Sequence, residues 1–188
     1  MNIGILGGTF NPIHIGHLIL AEEIREKLAL DRIIFVPARL PPHKRNNDIA
    51  SPQARFAMVQ CAIKGNKYFS VSDIEIKRQG LSYTIDTIRE LKRKYPHDEL
   101  YFITGSDLLN YLAEWKDLKE IISMVKFVVA TRPGYPLEQI PSYIKTVAIR
   151  AVDISAFEVR LCIKKRISFR YLVPDAVRAY ITKKKLYL

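Results

Sequence analysis

Two histidines three residues apart follow a pair of glycines near the start of the chain. In the stretch GILGGTFNPIHIGHLILAEE (residues 4–23), Gly7 and Gly8 come directly after an apolar segment, and His14 and His17 come just before a helix-like pattern. Glycines let main-chain N–H groups approach an anion closely. Because residues three apart lie on one face of a helix, both imidazoles can reach one group. The stretch favours an anion site, although it matches neither the P-loop nor the dinucleotide-binding pattern.

The chemistry expected of this stretch is phosphate binding. Pro12 limits the loop and the hydroxyl of Thr9 adds a polar group, so we expect a helix to begin near Ile15, with its first N–H groups and its positive dipole end facing the anion. A triphosphate suits such a site, because its transfer chemistry needs charge stabilisation and positioning more than a protein nucleophile. For an isolated H-x-x-H, a pair of capping or core histidines is the alternative, and a metal site would need a third ligand.

Alternating strands and helices are predicted around this motif. The predicted strands are Asn2–Leu6, Arg32–Val36, Phe69–Ser72, Glu99–Thr104, Lys126–Ala130 and Thr146–Ile149. The predicted helices are Gly16–Leu30, Ser51–Lys64, Tyr83–Tyr95, Asp107–Tyr111 with an extension toward Ile122, Ser155–Lys165 and Pro174–Thr182. Repeated βα units predict an α/β fold, a Rossmann-like open parallel sheet with helices on both faces.

A second polar strand end occurs in FITGSDLL, where Gly105–Asp107 follow the fourth predicted strand. Ligands of open α/β sheets collect beyond the carboxyl ends of the strands, at the point where the strand order reverses. If the first and fourth strands are neighbours, Gly7–His17 and Gly105–Asp107 face one crevice. The long irregular stretch from Pro37 to Ala50 is expected to be a functional loop.

Composition limits the class of protein. The chain has 188 residues, 48% of them hydrophobic, which predicts one domain over 1–188 with a C-terminal helical portion at about 154–188. Cys61 and Cys162 lack metal-ligand spacing and are expected to be buried free thiols.

The sequence shows neither a leader nor a membrane-spanning run, so we expect a cytoplasmic protein without membrane contact. The net charge of +11 suits polyanionic ligands, or it is a solvated basic face.

The motif GGTFNPIHIGH resembles the signature of the nucleotidyltransferase superfamily, in which T/H-x-G-H binds ATP. Within it, the chain looks like the bacterial nicotinate-nucleotide adenylyltransferases. Further matches are PPHK (41–44), SYTIDT (82–87), TGSDLL (104–109), EWKD (114–117) and ISAFEVR (154–160), in the expected order and spacing. The resemblance implies a nucleotidyltransferase-type fold and adenylyl transfer from ATP to nicotinate mononucleotide, giving deamido-NAD and pyrophosphate, with Mg²⁺ bound through substrate phosphates and no nucleic-acid partner.

The resemblance also implies roles for individual residues. His14, His17 and Arg160 would stabilise the charge that develops during transfer. The residues implied to bind ATP are Gly7, Gly8, Thr9, Phe10, His14, His17, Gly105, Asp107, Ser155 and Arg160. Those implied to bind the mononucleotide are Asn11, His43, Lys44, Arg55, Ser82, Tyr83, Thr84 and Trp115. Ordinary structural roles are the alternatives: a solvated basic loop at 43–44, a helix cap at Asp107, a surface ion pair at Arg160 and core packing of Trp115.

Two departures from the family pattern stand out. Asn11 occupies a position where the bacterial pattern usually has Asp, and Ala156 and Phe157 replace two hydroxyl residues in ISAFEVR. The other readings are a different adenylyl- or cytidylyltransferase, such as phosphopantetheine adenylyltransferase, and a non-catalytic nucleic-acid-binding module that uses the basic C-terminal end. Chains of the first class lack the combination of SYTIDT and EWKD. The second interpretation leaves the motifs at the strand ends unexplained.

Overall fold

The computed structural model describes residues 1–40, 49–131, 140–150 and 152–188, without the side chains of Asp107, Leu108 and Asn110. The strands are β1 (Asn2–Gly8), β2 (Arg32–Pro37), β3 (Phe69–Val71), β4 (Glu99–Gly105), β5 (Lys126–Ala130) and β6 (Ile144–Val147). The α-helices are α1 (Ile15–Lys27), α2 (Pro52–Ile63), α3 (Ile74–Lys77), α4 (Thr84–Lys94), α5 (Leu118–Met124), α6 (Ala156–Lys164) and α7 (Asp175–Lys184), and a 3-10 helix covers Ser106–Glu114.

The strands form one parallel sheet in the order β3-β2-β1-β4-β5-β6. The direction of winding reverses between β1 and β4, which lie side by side with Leu6 opposite Ile103. The predicted open parallel sheet is therefore confirmed, and so is the expectation that the first and fourth strands are neighbours. Gly7–Gly8 and Thr104–Gly105 continue the two strands beyond that pair, at the carboxyl edge where ligands of such sheets bind.

Alternate residues of each central strand face opposite sides of the sheet and build two apolar layers. On one side, α1, α2, α6 and α7 bury their apolar residues against Leu6, Ile33 and Phe35. On the other side, α3, α4, α5 and the 3-10 helix cover Ile5 and Phe102. The predicted C-terminal helical portion thus belongs to the first layer. Among the described helices, none is long and apolar enough to cross a bilayer.

Most predicted elements occur within a few residues of their predicted bounds, with three differences. The short helix α3 was not predicted, since four residues carry too little periodicity to indicate a helix. The segment after β4 begins as a 3-10 helix and is separate from α5. The last strand covers Ile144–Val147 and not Thr146–Ile149. Cys61 and Cys162 are free thiols as expected, but they are half-buried.

Gly4 in the centre of β1 leaves room for packing on the face that α1 covers. A Cβ there would overlap the Ile33 side chain and lie 2.8 Å from Cδ1 of Ile103 and 3.0 Å from Cδ1 of Leu30. Several buried side chains would have to move together, because the interior is densely packed.

We expect Gly4→Ala to lower the free energy of unfolding by about 1–3 kcal/mol, which corresponds to a fall in Tm of roughly 3–10 °C for a chain of this size. Gly7→Ala in the same strand is the matched control, because a Cβ there meets only the Phe102 ring, at 3.7 Å. Equal melting temperatures for Gly4→Ala and the unmodified chain would show that this layer is not tightly packed.

Candidate active site

The turn between β1 and α1 lies at the carboxyl edge of the sheet, beside the end of β4. Gly7 is exposed and Gly8 is partly exposed, whereas Phe10 and Asn11 are buried beneath them. Helix α1 begins at Ile15, as predicted, so its first turn faces the same edge. The turn therefore combines accessible backbone, a helix start and two histidines at one location, which is the arrangement that binds anions.

His14 and His17 lie against each other at the start of α1. Their ring centroids are 3.7 Å apart and the rings are tilted by 38°. The backbone N–H of His14 donates to Nδ1 of His17 over 3.2 Å. Because Nδ1 accepts this bond, the neutral His17 ring carries its proton on Nε2, where it can donate to a ligand oxygen. The predicted pairing of the two imidazoles on one helix face is confirmed.

Two neighbours fix the orientation of the histidine pair. The His14 ring lies over Gly16: a Cβ at Gly16 would be 3.1 Å from Nδ1 and 3.2 Å from Cε1 of that ring. Phe10 packs edge-on against His17, with centroids 5.1 Å apart, and also contacts Phe35. The Phe10 ring is 2% exposed, so its side chain supports His17 and is too deeply buried for the predicted contact with ATP.

Arg55 has a different role from the predicted one. Its side chain is fully buried, and its guanidinium donates to three backbone carbonyls: Ala50 at 2.9 Å, Thr9 at 2.7 Å and Arg39 at 3.0 Å. Thr9 lies in the turn after β1, Arg39 in the segment after β2, and Ala50 in the segment before α2. The predicted phosphate contact does not fit this burial. Arg55 instead joins three loops through one planar group with several donors.

Arg160 on α6 reaches the same turn. Its guanidinium donates to the carbonyl of Asn11 at 2.8 Å and to that of Ala156 at 3.0 Å, and the side chain remains partly exposed. The Asn11 side chain is also engaged, because its Oδ1 accepts the N–H of Ala50 at 3.0 Å. Arg160 therefore lies beside the histidine turn, where its remaining N–H groups can face a polyphosphate.

Ser155 caps α6, as predicted. Its Oγ accepts the N–H of Glu158 at 3.1 Å, and the Glu158 carboxylate accepts the N–H of Ser155 at 2.8 Å. The Ser155 hydroxyl also donates to that carboxylate. A hydroxyl has only one hydrogen, so Ser155 does not have a donor left for ATP in this arrangement.

A second group of predicted residues lies on the opposite face of the sheet from α1, in the layer of α4 and α5. Trp115 packs edge-on against Phe102 and Phe127, with centroids 5.6 and 5.9 Å apart, and the indole is partly exposed. Tyr83 packs on the same apolar layer and immediately precedes Thr84, the first residue of α4. This group offers an aromatic face beside a helix start, and Phe102 connects it with Gly7.

Ser82 contacts the segment that follows β2. Its Oγ accepts the N–H of Arg39 at 2.9 Å and that of Leu40 at 3.4 Å, and its hydroxyl favours the charged form of the Glu75 carboxyl, which acts to lower the pKa of that group. Glu75 is itself buried and accepts the hydroxyl of Thr87 at 2.6 Å. Burial raises the pKa of this carboxyl. These contacts order the segment after β2, and the predicted contact between Ser82 and the mononucleotide stays a prediction.

Some predicted residues cannot be located. His43 and Lys44 lie outside the described residues, and of Asp107 only the backbone is described. Conversely, sequence reasoning missed Phe102, Glu75 and Tyr187. Phe102 and Glu75 look like ordinary strand and surface residues in the sequence, and nothing in the local pattern of Tyr187 links it to residue 11.

An open parallel sheet that carries a glycine turn, a helix start and two histidines at its crossover point defines a nucleotide-binding α/β protein. The model of the cytidylyltransferase-like family matches residues 5–161.

Comparison with individual proteins narrows this class. A protein named "Probable nicotinate-nucleotide adenylyltransferase" from Thermus thermophilus is 44% identical, with all of both chains covered. One of the same name from Desulfitobacterium hafniense is 42% identical over 98% of this chain and 95% of its own. The fold is similar to that of Plasmodium falciparum nicotinic acid mononucleotide adenylyltransferase complexed with NaAD, with a TM-score of 0.83, 22% identity and 99% and 97% coverage. The chain therefore belongs to the cytidylyltransferase-like family and, within it, to the nicotinate-nucleotide adenylyltransferases.

The packing of His14 over Gly16 generates a prediction. Gly16→Ala would push the His14 ring by a few tenths of an ångström, and we expect kcat of the adenylyl transfer to fall roughly threefold to thirtyfold, because catalysis depends steeply on geometry. Stability should not fall, since Ala favours a helix over Gly by about 1 kcal/mol. Steady-state kinetics and thermal melting measure both effects. A variant with unchanged kcat would show that the His14 ring does not need its position over Gly16.

Proposed function

We propose that this chain transfers the adenylyl group of ATP to nicotinate mononucleotide, giving deamido-NAD and pyrophosphate. The observation that carries the proposal is the His14–His17 pair at the start of α1, stacked at 3.7 Å beside the crossover between β1 and β4. Identities of 42–44% over essentially the whole chain to proteins named for this activity support the choice of acceptor.

The chemistry needs positioning more than a protein base. The 5′-phosphate of the mononucleotide is mostly dianionic at neutral pH, because its second pKa is about 6, so its oxygen can attack the α-phosphorus directly while the bond to pyrophosphate breaks. His17 through Nε2, His14, the N–H groups at the start of α1 and Arg160 would stabilise the negative charge that grows on the phosphate oxygens. Accessible Gly7 and Gly8 would let the triphosphate approach the backbone.

Mg²⁺ fits this site as an ion bound mainly by substrate. In the part of the chain that the structure describes, no group of three or more His, Cys, Asp or Glu side chains could hold a metal ion. The turn offers imidazoles and an amide, which suits an ion that stays on the phosphates. When bound, Mg²⁺ supplies charge neutralisation on the leaving pyrophosphate.

Pyrophosphate release from ATP tests the proposal directly. Nicotinate mononucleotide, nicotinamide mononucleotide and phosphopantetheine are offered separately to the purified protein. Release with the first substrate supports the proposal. Release only with phosphopantetheine would assign the chain to another transfer reaction, and no release with any acceptor would contradict adenylyl transfer.

Replacement of His17 tests the role of the imidazole in transfer. We expect His17→Ala to lower kcat by about 10² to 10³-fold, the usual cost of removing one preorganised donor, with a much smaller change in ATP affinity, because the contact strengthens as charge develops in the transition state. His97→Ala is the control, since His97 is exposed near the start of β4. Near-normal turnover of His17→Ala would remove this side chain from the mechanism.

The region around α4 predicts a preference for the acid over the amide. The start of α4 provides N–H groups and a positive dipole end, with the Thr84 hydroxyl beside them, which favour a carboxylate on the pyridine ring. Trp115 would contact the ring face without distinguishing the substituent. We expect kcat/KM for nicotinate mononucleotide to exceed that for the amide by at least about a hundredfold. Equal values would mean that this pocket is misassigned even if adenylyl transfer occurs.

A further inference from the structure

Tyr187, in the segment that follows α7, contacts the turn between β1 and α1, which leads to His14 and His17. Its hydroxyl donates to Oδ1 of Asn11 over 2.8 Å. The same oxygen accepts the N–H of Ala50 at 3.0 Å. Two donors on one carbonyl oxygen fill both of its lone pairs and so fix the orientation of the side-chain amide. Asn11 itself is only 6% exposed.

The backbone of this segment is bent to bring Tyr187 to that position. Helix α7 ends with Lys185 in the left-handed region, at φ 51°, and Tyr187 is also left-handed, at φ 66°. The N–H of Leu186 returns to the carbonyl of Ile181 at 3.1 Å. A positive φ is unfavourable for an aromatic residue and persists only where the surroundings fix it. Here, Leu186 and Tyr187 pack on the apolar layer of α1, α2, α6 and α7.

Tyr187 completes a set of three side chains that hold the turn. Arg55 binds the carbonyl of Thr9, Arg160 binds the carbonyl of Asn11, and Tyr187 binds the side chain of Asn11. Burial raises the pKa of the Tyr187 hydroxyl, although the two arginines act in the opposite direction, so the hydroxyl keeps its hydrogen at any working pH.

We propose that Tyr187 is a positioning residue for adenylyl transfer, which holds Asn11 and through it the turn that carries His14 and His17. Asn11 precedes these histidines by a few residues, so an unfixed Asn11 changes the direction from which the chain enters α1. The inference rests on the proposed function for its kinetic consequence. The hydrogen bond and the packing of Tyr187 stand independently of it.

The variant Tyr187→Phe removes the hydroxyl and keeps the ring. We expect kcat to fall about threefold to tenfold, the range that corresponds to the net value of one hydrogen bond, while KM for ATP changes less than twofold. Tyr180→Phe is the matched control: Tyr180 lies on α7, packs on the same apolar layer, and among the described residues its hydroxyl has no hydrogen bond. We expect this control to keep the kcat of the unmodified enzyme.

A double-mutant cycle separates positioning from a general effect on stability. If Tyr187 acts through Asn11, Tyr187→Phe should cause no further loss in a chain that already carries Asn11→Ala. Additive losses, or an unchanged kcat in Tyr187→Phe, would overturn the inference.

Native-state amide hydrogen exchange gives a second measurement that does not need activity. Exchange of the amides at residues 9–11, 13 and 14 should be faster in Tyr187→Phe than in the unmodified chain, and unchanged in Tyr180→Phe. If the unmodified chain releases no pyrophosphate, the proposed function fails, but faster exchange still supports a hold on the turn by Tyr187. Unchanged exchange in Tyr187→Phe would overturn that hold whether or not the chain is active.

Discussion

The buried guanidinium of Arg55 is the interaction on which the site depends. A turn that presents its N–H groups to an anion directs carbonyls inward, and buried carbonyls must be hydrogen-bonded. Arg55 satisfies carbonyls from three segments at once, those of Thr9, Arg39 and Ala50. Lys has a single ammonium on a flexible stem and could not reproduce this planar arrangement. One side chain thereby connects the turn of β1 with the segments on either side of residues 41–48.

The sheet crossover places the turn after β1 between the two apolar layers. β1 and β4 are neighbours, and the helices that follow them, α1 and the 3-10 helix, lie in opposite apolar layers. The histidine turn extends over the layer of α1 and α6, whereas Phe102 and Trp115 belong to the layer of α4 and α5. A ligand bound to the histidines and a ligand bound beside Trp115 would therefore meet at the end of β1, which is the geometry that a transfer between them requires.

The sequence predicted the parts of the site that follow from local chemistry. Glycines after an apolar strand, a helix beginning at Ile15 and histidines on one helix face are all encoded within a few residues, and the structure agrees with them. Arg55 was misread because its partners, such as Thr9 and Arg39, are distant in sequence. A basic or hydroxyl side chain looks the same whether it binds a ligand or a buried carbonyl, and only tertiary packing distinguishes the two. Tyr187 was missed for the same reason, since its partner Asn11 lies near the other end of the chain.

The turn before α6 departs from the family pattern in its side chains. Ala156 and Phe157 have no hydroxyls, and the Phe157 side chain is 64% exposed. The start of α6 nevertheless keeps its cap through Ser155 and Glu158; the cap uses the N–H groups of these two residues and does not involve the side chains at 156 and 157. Arg160 is fixed by the carbonyls of Asn11 and Ala156, and these bonds leave N–H donors of its guanidinium for a phosphate. The guanidinium of Arg160 also lies over the Phe157 ring, 5.9 Å from its centroid, so the residue that replaces a hydroxyl at 157 contacts the arginine through its aromatic face.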